Sequence, residues 1–166
     1  MTPSDVEVGP ATLHRPGMLP DVVLEHTSCA LGRLGQALMR LTEQRLRSLG
    51  VRARHIGVLM ALRAGGPVSQ QALGTYLAID AATIVAALND LEERGLVRRE
   101  RDGEDARRHA VTITGAGYDF LEQAEQLLDQ IDDEVLVVLP PHLQRALAQA
   151  VRQLATSPQI ADLARS

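Results

Sequence analysis

Apolar positions keep a helical spacing over much of this chain. Leu24, Leu31, Leu34, Leu38 and Leu41 recur at intervals of three, four and seven, which predicts an amphipathic helix from residue 21 to near Gly50. Ile56, Leu59, Met60 and Leu62 predict a second helix over about 54–64, broken by Gly65-Gly66-Pro67. Ser69 is placed to cap a short third helix over 70–77, and Asp80 to cap a fourth over 81–94 that stops at Gly95. The period then changes. Residues 96–101 and 109–113 read as two strands around a charged tip, and Thr114 caps a long helix over about 116–139. That helix carries Tyr118, Leu121, Leu128, Ile131, Val135 and Val138, ends at Pro140-Pro141, and is followed by a last helix to about residue 155.

Two short helices joined at Ala78-Ile79-Asp80 make a helix-turn-helix, and the hairpin directly after them makes a wing. The expected fold is mainly α with a small β-hairpin wing (α+β): a winged helix-turn-helix lobe plus terminal dimerisation helices. Residues 1–20, with Pro3, Pro10, Pro16 and Pro20, read as a flexible arm. Residues 21–156 form the domain, with the DNA-binding lobe at about 52–114, dimerisation helices at 21–50 and 115–156, and a tail at 157–166. The first and last helices carry more apolar surface than so small a lobe can bury, so a homodimer in which they interdigitate is expected.

Composition bounds the function. With 166 residues, 45% apolar and only 2% aromatic with no Trp, the core must be aliphatic. No apolar run approaches the ~20 residues that span a bilayer. The N-terminal acids and prolines do not form a secretory signal, and a single cysteine excludes an internal disulfide framework. A cytoplasmic protein that does not engage a membrane is expected. The net charge of −4 argues against a general polyanion binder. Yet six of the 17 basic residues, all arginines, fall between Arg94 and Arg108, which suits contact with DNA at a few points.

On the fourth helix, Ile84, Ala87, Leu88 and Leu91 fall on one face and should pack inward. The other face offers Ala82, Thr83, Val85, Ala86 and Asn89, with Asp90 at its flank. Asn89 can pair at two points with an adenine edge, and the small apolar residues can meet thymine methyls. Ser69 and Gln70 start the helix-turn-helix. In the wing, Arg98, Arg99 and Arg101 can reach phosphates. Arg107 and Arg108 suit a minor groove, where Asp105 would pre-orient Arg107. The ligand read from these features is a double-stranded, pseudo-palindromic DNA operator. A winged-helix module for protein contacts, binding DNA weakly, is the competing reading, because the recognition face carries no basic residue. No phosphate-binding glycine loop, metal box or nucleophile–base pair is present, so neither an enzyme nor a cofactor is expected.

Residues 24 to about 155 resemble the MarR family of bacterial transcription regulators. Asp102-x-x-Asp105-x-Arg107 followed by Val111-Thr112-Ile113-Thr114-x-x-Gly117 follows that family's wing pattern, with Ile113 for the usual Leu, and Leu91-Glu92-Glu93-Arg94-Gly95-Leu96-Val97 fits it too. The resemblance implies a triangular homodimer of winged lobes, a repressor released from DNA by a small phenolic or other anionic inducer or by oxidation, and Arg107 in the minor groove. Ala81, Val85, Ala86 and Asp90 stand where many members carry basic or hydroxyl residues. The inducer pocket it implies lies near His26, Cys29 and Arg33, which share one helix face, and near His55, Met60 and Tyr118. Cys29 matches the position of a peroxide-sensing thiol in one branch, whose tyrosine partners are missing from residues 44–54 here; a small buried thiol is the expected role, and a redox-sensing regulator of the same family acting through Cys29 is the alternative. His26, Cys29 and His55 do not form a metal set, and no metal is expected.

Overall fold

The computed structural model describes residues 25–101 and 109–163. Helix α1 covers Thr27–Leu46 and tightens into a 3-10 turn, Arg47–Leu49. Helix α2 is Ala53–Gly65, strand β1 Val68–Ser69, α3 Gln70–Leu77 and α4 Ala81–Glu93. Strands β2 (Val97–Arg101) and β3 (His109–Ile113) precede the long α5 (Gly115–Leu136), then α6 (Pro141–Ala155) and the short α7 (Pro158–Leu163). Every expected helix is present, with ends shifted by a few residues. Strand β1 was not foreseen, because two residues carry no alternation to detect. It pairs antiparallel with β3, Val68 opposite Val111 and Ser69 opposite Ala110. The result is a three-stranded sheet in the order β1-β3-β2. Residues 1–20 and 164–166 of the expected arm and tail, and Leu24, lie outside the described residues, whereas α7 occupies the part of the expected tail that is described.

The core sits in the lobe. Leu46, Leu59, Leu62, Leu73, Ile84, Leu88, Leu91 and Leu121 are fully buried there, with Val58, Val97 and Val111. They converge from α1's end, α2, α3, α4, the sheet and the first half of α5. Each such side chain contributes about 1.5–3 kcal/mol of transfer free energy. Of the apolar residues expected inside α4, all four (Ile84, Ala87, Leu88 and Leu91) are buried.

Short-range chemistry fixes the junctions. Ser69 Oγ accepts from the Ala72 amide (3.2 Å), and Asp80 Oδ1 accepts from the Thr83 amide (2.9 Å), capping α3 and α4. Gly95 takes φ 70° just past α4, in the left-handed region where a side chain is disfavoured. Thr114 Oγ1 accepts from the Gly117 amide (3.0 Å) and donates to the Gly95 carbonyl (2.7 Å), tying the start of α5 to the end of α4. Gly117 is needed by close approach: a Cβ there would lie 2.2 Å from the Leu96 carbonyl oxygen.

The outer helices contrast with this. The N-terminal half of α1 is exposed along its apolar stripe, Leu31 and Leu34 included, and no residue of α6 is buried. Leu143, Val151 and Leu154 stay about half exposed.

Candidate nucleic-acid interface

Helix α4 stands on its buried face and presents Ala82, Val85, Ala86 and Asn89 to solvent, with Thr83 half-buried beside them. Its start is stiffened twice at one residue: Asp80 takes the Thr83 amide on one oxygen and the Thr83 hydroxyl on the other (2.6 Å). These bonds to the charged form hold the Asp80 carboxyl below its usual range, the Thr83 side chain contributing most. The Thr83 hydroxyl therefore donates to the Asp80 carboxylate that caps its own helix. Ser69 and Gln70 open α3, both half-buried, with Ser69 spent as the cap.

The arginines divide by role. Arg98 is well exposed and pairs with Glu100 across the same strand face (2.9 Å). Arg99, expected to reach phosphate, turns instead onto α4: its amide donates to Glu92 Oε1 (3.1 Å), its guanidinium grips Glu92 Oε2, and its Nη2 donates to Asn89 Oδ1 (2.8 Å). Arg94, part of the basic cluster in the sequence, also points inward. It donates to the Gly50 and Leu49 carbonyls (2.7 and 2.8 Å) and lies over the Phe120 ring, 5.2 Å from its centroid. It thereby closes the end of the 3-10 turn. Each reorientation has the same cause: a carboxylate or orphan carbonyl brought near by the fold offers a stronger partner than solvent. Those partners lie 7, 10, 44 and 45 residues away in the chain, and no spacing rule reveals the last two. The tip residues Asp105, Arg107 and Arg108 lie outside the described residues, and of Arg101 only its place at the end of β2 is defined.

Within one protomer the six residues named for an inducer pocket are spread over the start of α1, α2 and α5. His26 stands at the N-cap position of α1 without a side-chain capping bond, and His26, Cys29 and Arg33 lie exposed on the helix's outer half. Cys29 is thus not the buried thiol expected. Tyr118 is 44% exposed on the first turn of α5, and Met60 is half-buried against the core. His55 departs furthest from expectation: it is 4% exposed, inside the lobe. Its Nδ1 accepts from the Arg52 amide (3.2 Å), so the ring proton belongs on Nε2, which faces Asp90 Oδ2 of α4 at 3.3 Å without completing a hydrogen bond. Burial, then Arg54, push its pKa below the ordinary value; the half-exposed Asp90 opposes this and is outweighed, with Arg94 and Arg52 adding to the depression.

Among the described residues, two clefts of the lobe and α1 lie elsewhere, and none of the six lines either. A cavity of about 440 Å³ between α2, β1 and α3 is walled by Ala61, Ala64, Val68, Leu73 and Tyr76. A wider cleft of about 840 Å³ runs along α1 past Met39, Arg40, Glu43, Arg47 and Arg52. Glu43 caps α2 through the Ala53 amide (3.0 Å). Among the described residues no group of three or more His, Cys, Asp or Glu could hold a metal ion, and no single helix is long and apolar enough to cross a membrane.

The three-stranded wing, capped recognition helix and long flanking helices define a winged helix-turn-helix regulator. A family model described as the MarR family matches residues 49–108. The transcriptional regulator HosA of Escherichia coli O157:H7 is 35% identical over 97 residues, 58% of this chain and 72% of that protein. The repressor CouR bound to a 23-mer DNA duplex superimposes with a TM-score of 0.72 at 26% identity, covering 83% of this chain and 99% of that one. Bordetella bronchiseptica BpsR, whose DNA binding is regulated by 6-hydroxynicotinic acid, gives 0.67 at 26% identity over 80% and 95%. The chain belongs to the MarR family and is a DNA-binding regulator of transcription.

Proposed function

We propose that the protein is a cytoplasmic homodimer that binds a pseudo-palindromic double-stranded operator and represses transcription until a small phenolic or anionic ligand releases it. The observation that carries this reading is α4: a helix fixed at both ends, packed on four buried residues, with its free face beside the wing. Its neutral face suits thymine methyls and base edges, which leaves Arg98, Arg101, Arg107 and Arg108 to supply the phosphate and minor-groove contacts. The unburied apolar faces of α1 and α6 support the dimer. The ligand step is supported by kinship with BpsR. His26, Arg33 and Tyr118 are accessible in one protomer, so a pocket using them would need the partner's helices to close it.

Gel-shift and anisotropy titrations against the DNA upstream of the gene test the reading. Retention should weaken steeply as salt rises. Arg107→Ala with Arg108→Ala should weaken binding to every duplex about tenfold or more and flatten the salt slope. A chain that leaves all duplexes free at low salt, yet retains a protein through the small apolar face of Ala82, Val85 and Ala86, would instead support the interaction-module reading.

A further inference from the structure

We propose that Arg99 decides what Asn89 can read: it holds the Asn89 carboxamide with its oxygen turned to the wing and its NH2 toward the groove, so the recognition helix offers a donor that selects guanine. The inference rests on the DNA-binding reading above and deepens it. An arginine carries donors and no acceptor, so the Asn89 atom 2.8 Å from Arg99 Nη2 must be the oxygen. The end of the amide that stays free is then the nitrogen. The holder is itself held. Glu92 takes the Arg99 amide on one oxygen and the guanidinium on the other, and the Arg99 side chain is only 22% exposed. The fork of the guanidinium thus bridges two residues of α4 three positions apart, Asn89 and Glu92, from a strand of the wing.

This changes the base preference expected of Asn89 alone. Two-point pairing with adenine needs the carboxamide oxygen to accept from N6 while the nitrogen donates to N7. The oxygen keeps a second lone pair, but an adenine N6 donor would have to reach it beside the guanidinium's own N–H groups and charge. Guanine asks for no acceptor from the protein on that edge: its N7 and O6 both accept. Arg99 is accordingly a positioning residue for recognition and does not itself touch DNA.

Selection from a pool of randomised duplexes tests this with the full-length protein. The wild type should enrich guanine at one position in each half-site. Asn89→Ala and Arg99→Ala should each lose that preference about tenfold at that position and leave the others, and the double variant should lose no more than either alone. Asn89→Asp keeps an oxygen for Arg99 but brings no donor to the groove, so it should lose the guanine preference as well. Arg99→Lys, which cannot bridge Glu92 and Asn89 together, should weaken it, and decides the matter if Arg99→Ala does not fold. Enrichment of adenine at that position, an unchanged Asn89→Ala profile, or an Arg99 variant that weakens all sequences equally with a flatter salt slope overturns the inference while leaving DNA binding intact. A wild type that binds the pool but enriches no sequence overturns the inference and the operator reading together.

Discussion

His55 sits where a proton would be costly. Its ring is buried, its Nδ1 is occupied by the Arg52 amide, and Arg54, Arg94 and Arg52 add positive charge nearby. The unfolded chain takes up a proton at about pH 6.5, before the folded ring does. The unfolded state therefore binds more protons over that range, and stability falls as pH drops through about 6.5 toward the lower folded value. Thermal unfolding between pH 7.5 and 5 should show a larger fall in midpoint for the wild type than for His55→Gln; parallel curves would remove His55 from the acid response. A second residue holds a strained backbone. Ala78 caps α3 at φ 52°, ψ 41° inside the helix-turn-helix, a left-handed conformation that costs a residue with a Cβ about 1–2 kcal/mol. Part of that gain is offset by the freer unfolded chain of a glycine, so Ala78→Gly should stabilise the fold by about 0.5–1 kcal/mol, read as a raised denaturant midpoint with unchanged slope.

The joint between wing and long helix depends on two small features of neighbouring residues. Thr114 donates to Gly95 and accepts from Gly117, and Gly117 leaves room for the Leu96 carbonyl. Gly117→Ala would drive a methyl into backbone and into Ile113, and should cost about 3 kcal/mol, the upper range for overpacking. Thr114→Ala should cost about 1 kcal/mol as a lost cap; equal effects for the two in a chemical melt would mean the joint relaxes more than its geometry implies. Joints of this kind were legible in the sequence, because caps, glycines and helical periods act over three or four residues. Ser69, Asp80, Gly95 and Thr114 all stand where local rules put them. What sequence could not disclose was set by distant pairing. Strand β1 exists because β3 lies beside it, Arg94 caps a turn 44 residues earlier, and Arg99 prefers Glu92 and Asn89 to solvent. The inward turn of His55 likewise follows from where α4 packs on α2, although its neighbours Ile56 and Val58 hinted at a buried first turn.

At the scale of the molecule, the lobe is self-sufficient and the outer helices are not. Leu31, Leu34, Leu143, Val151 and Leu154 keep much of their apolar surface in solvent, a pattern that second copies of the same helices would cover. Sedimentation should report a dimer, its unfolding midpoint should rise with protein concentration, and Leu34→Asp with Val151→Asp should yield monomers; a monomeric wild type at micromolar concentration would end the two-fold model. One feature of the sheet then governs how such a pair would work. Val68 and Ser69 stitch the strand returning from the wing to the residue that launches α3. Hairpin and helix-turn-helix are thereby welded into a plate whose parts cannot be aimed separately. In the proposed dimer, two such plates would act like the jaws of calipers. The gap between them, rather than the aim of either wing, would then select the half-site separation.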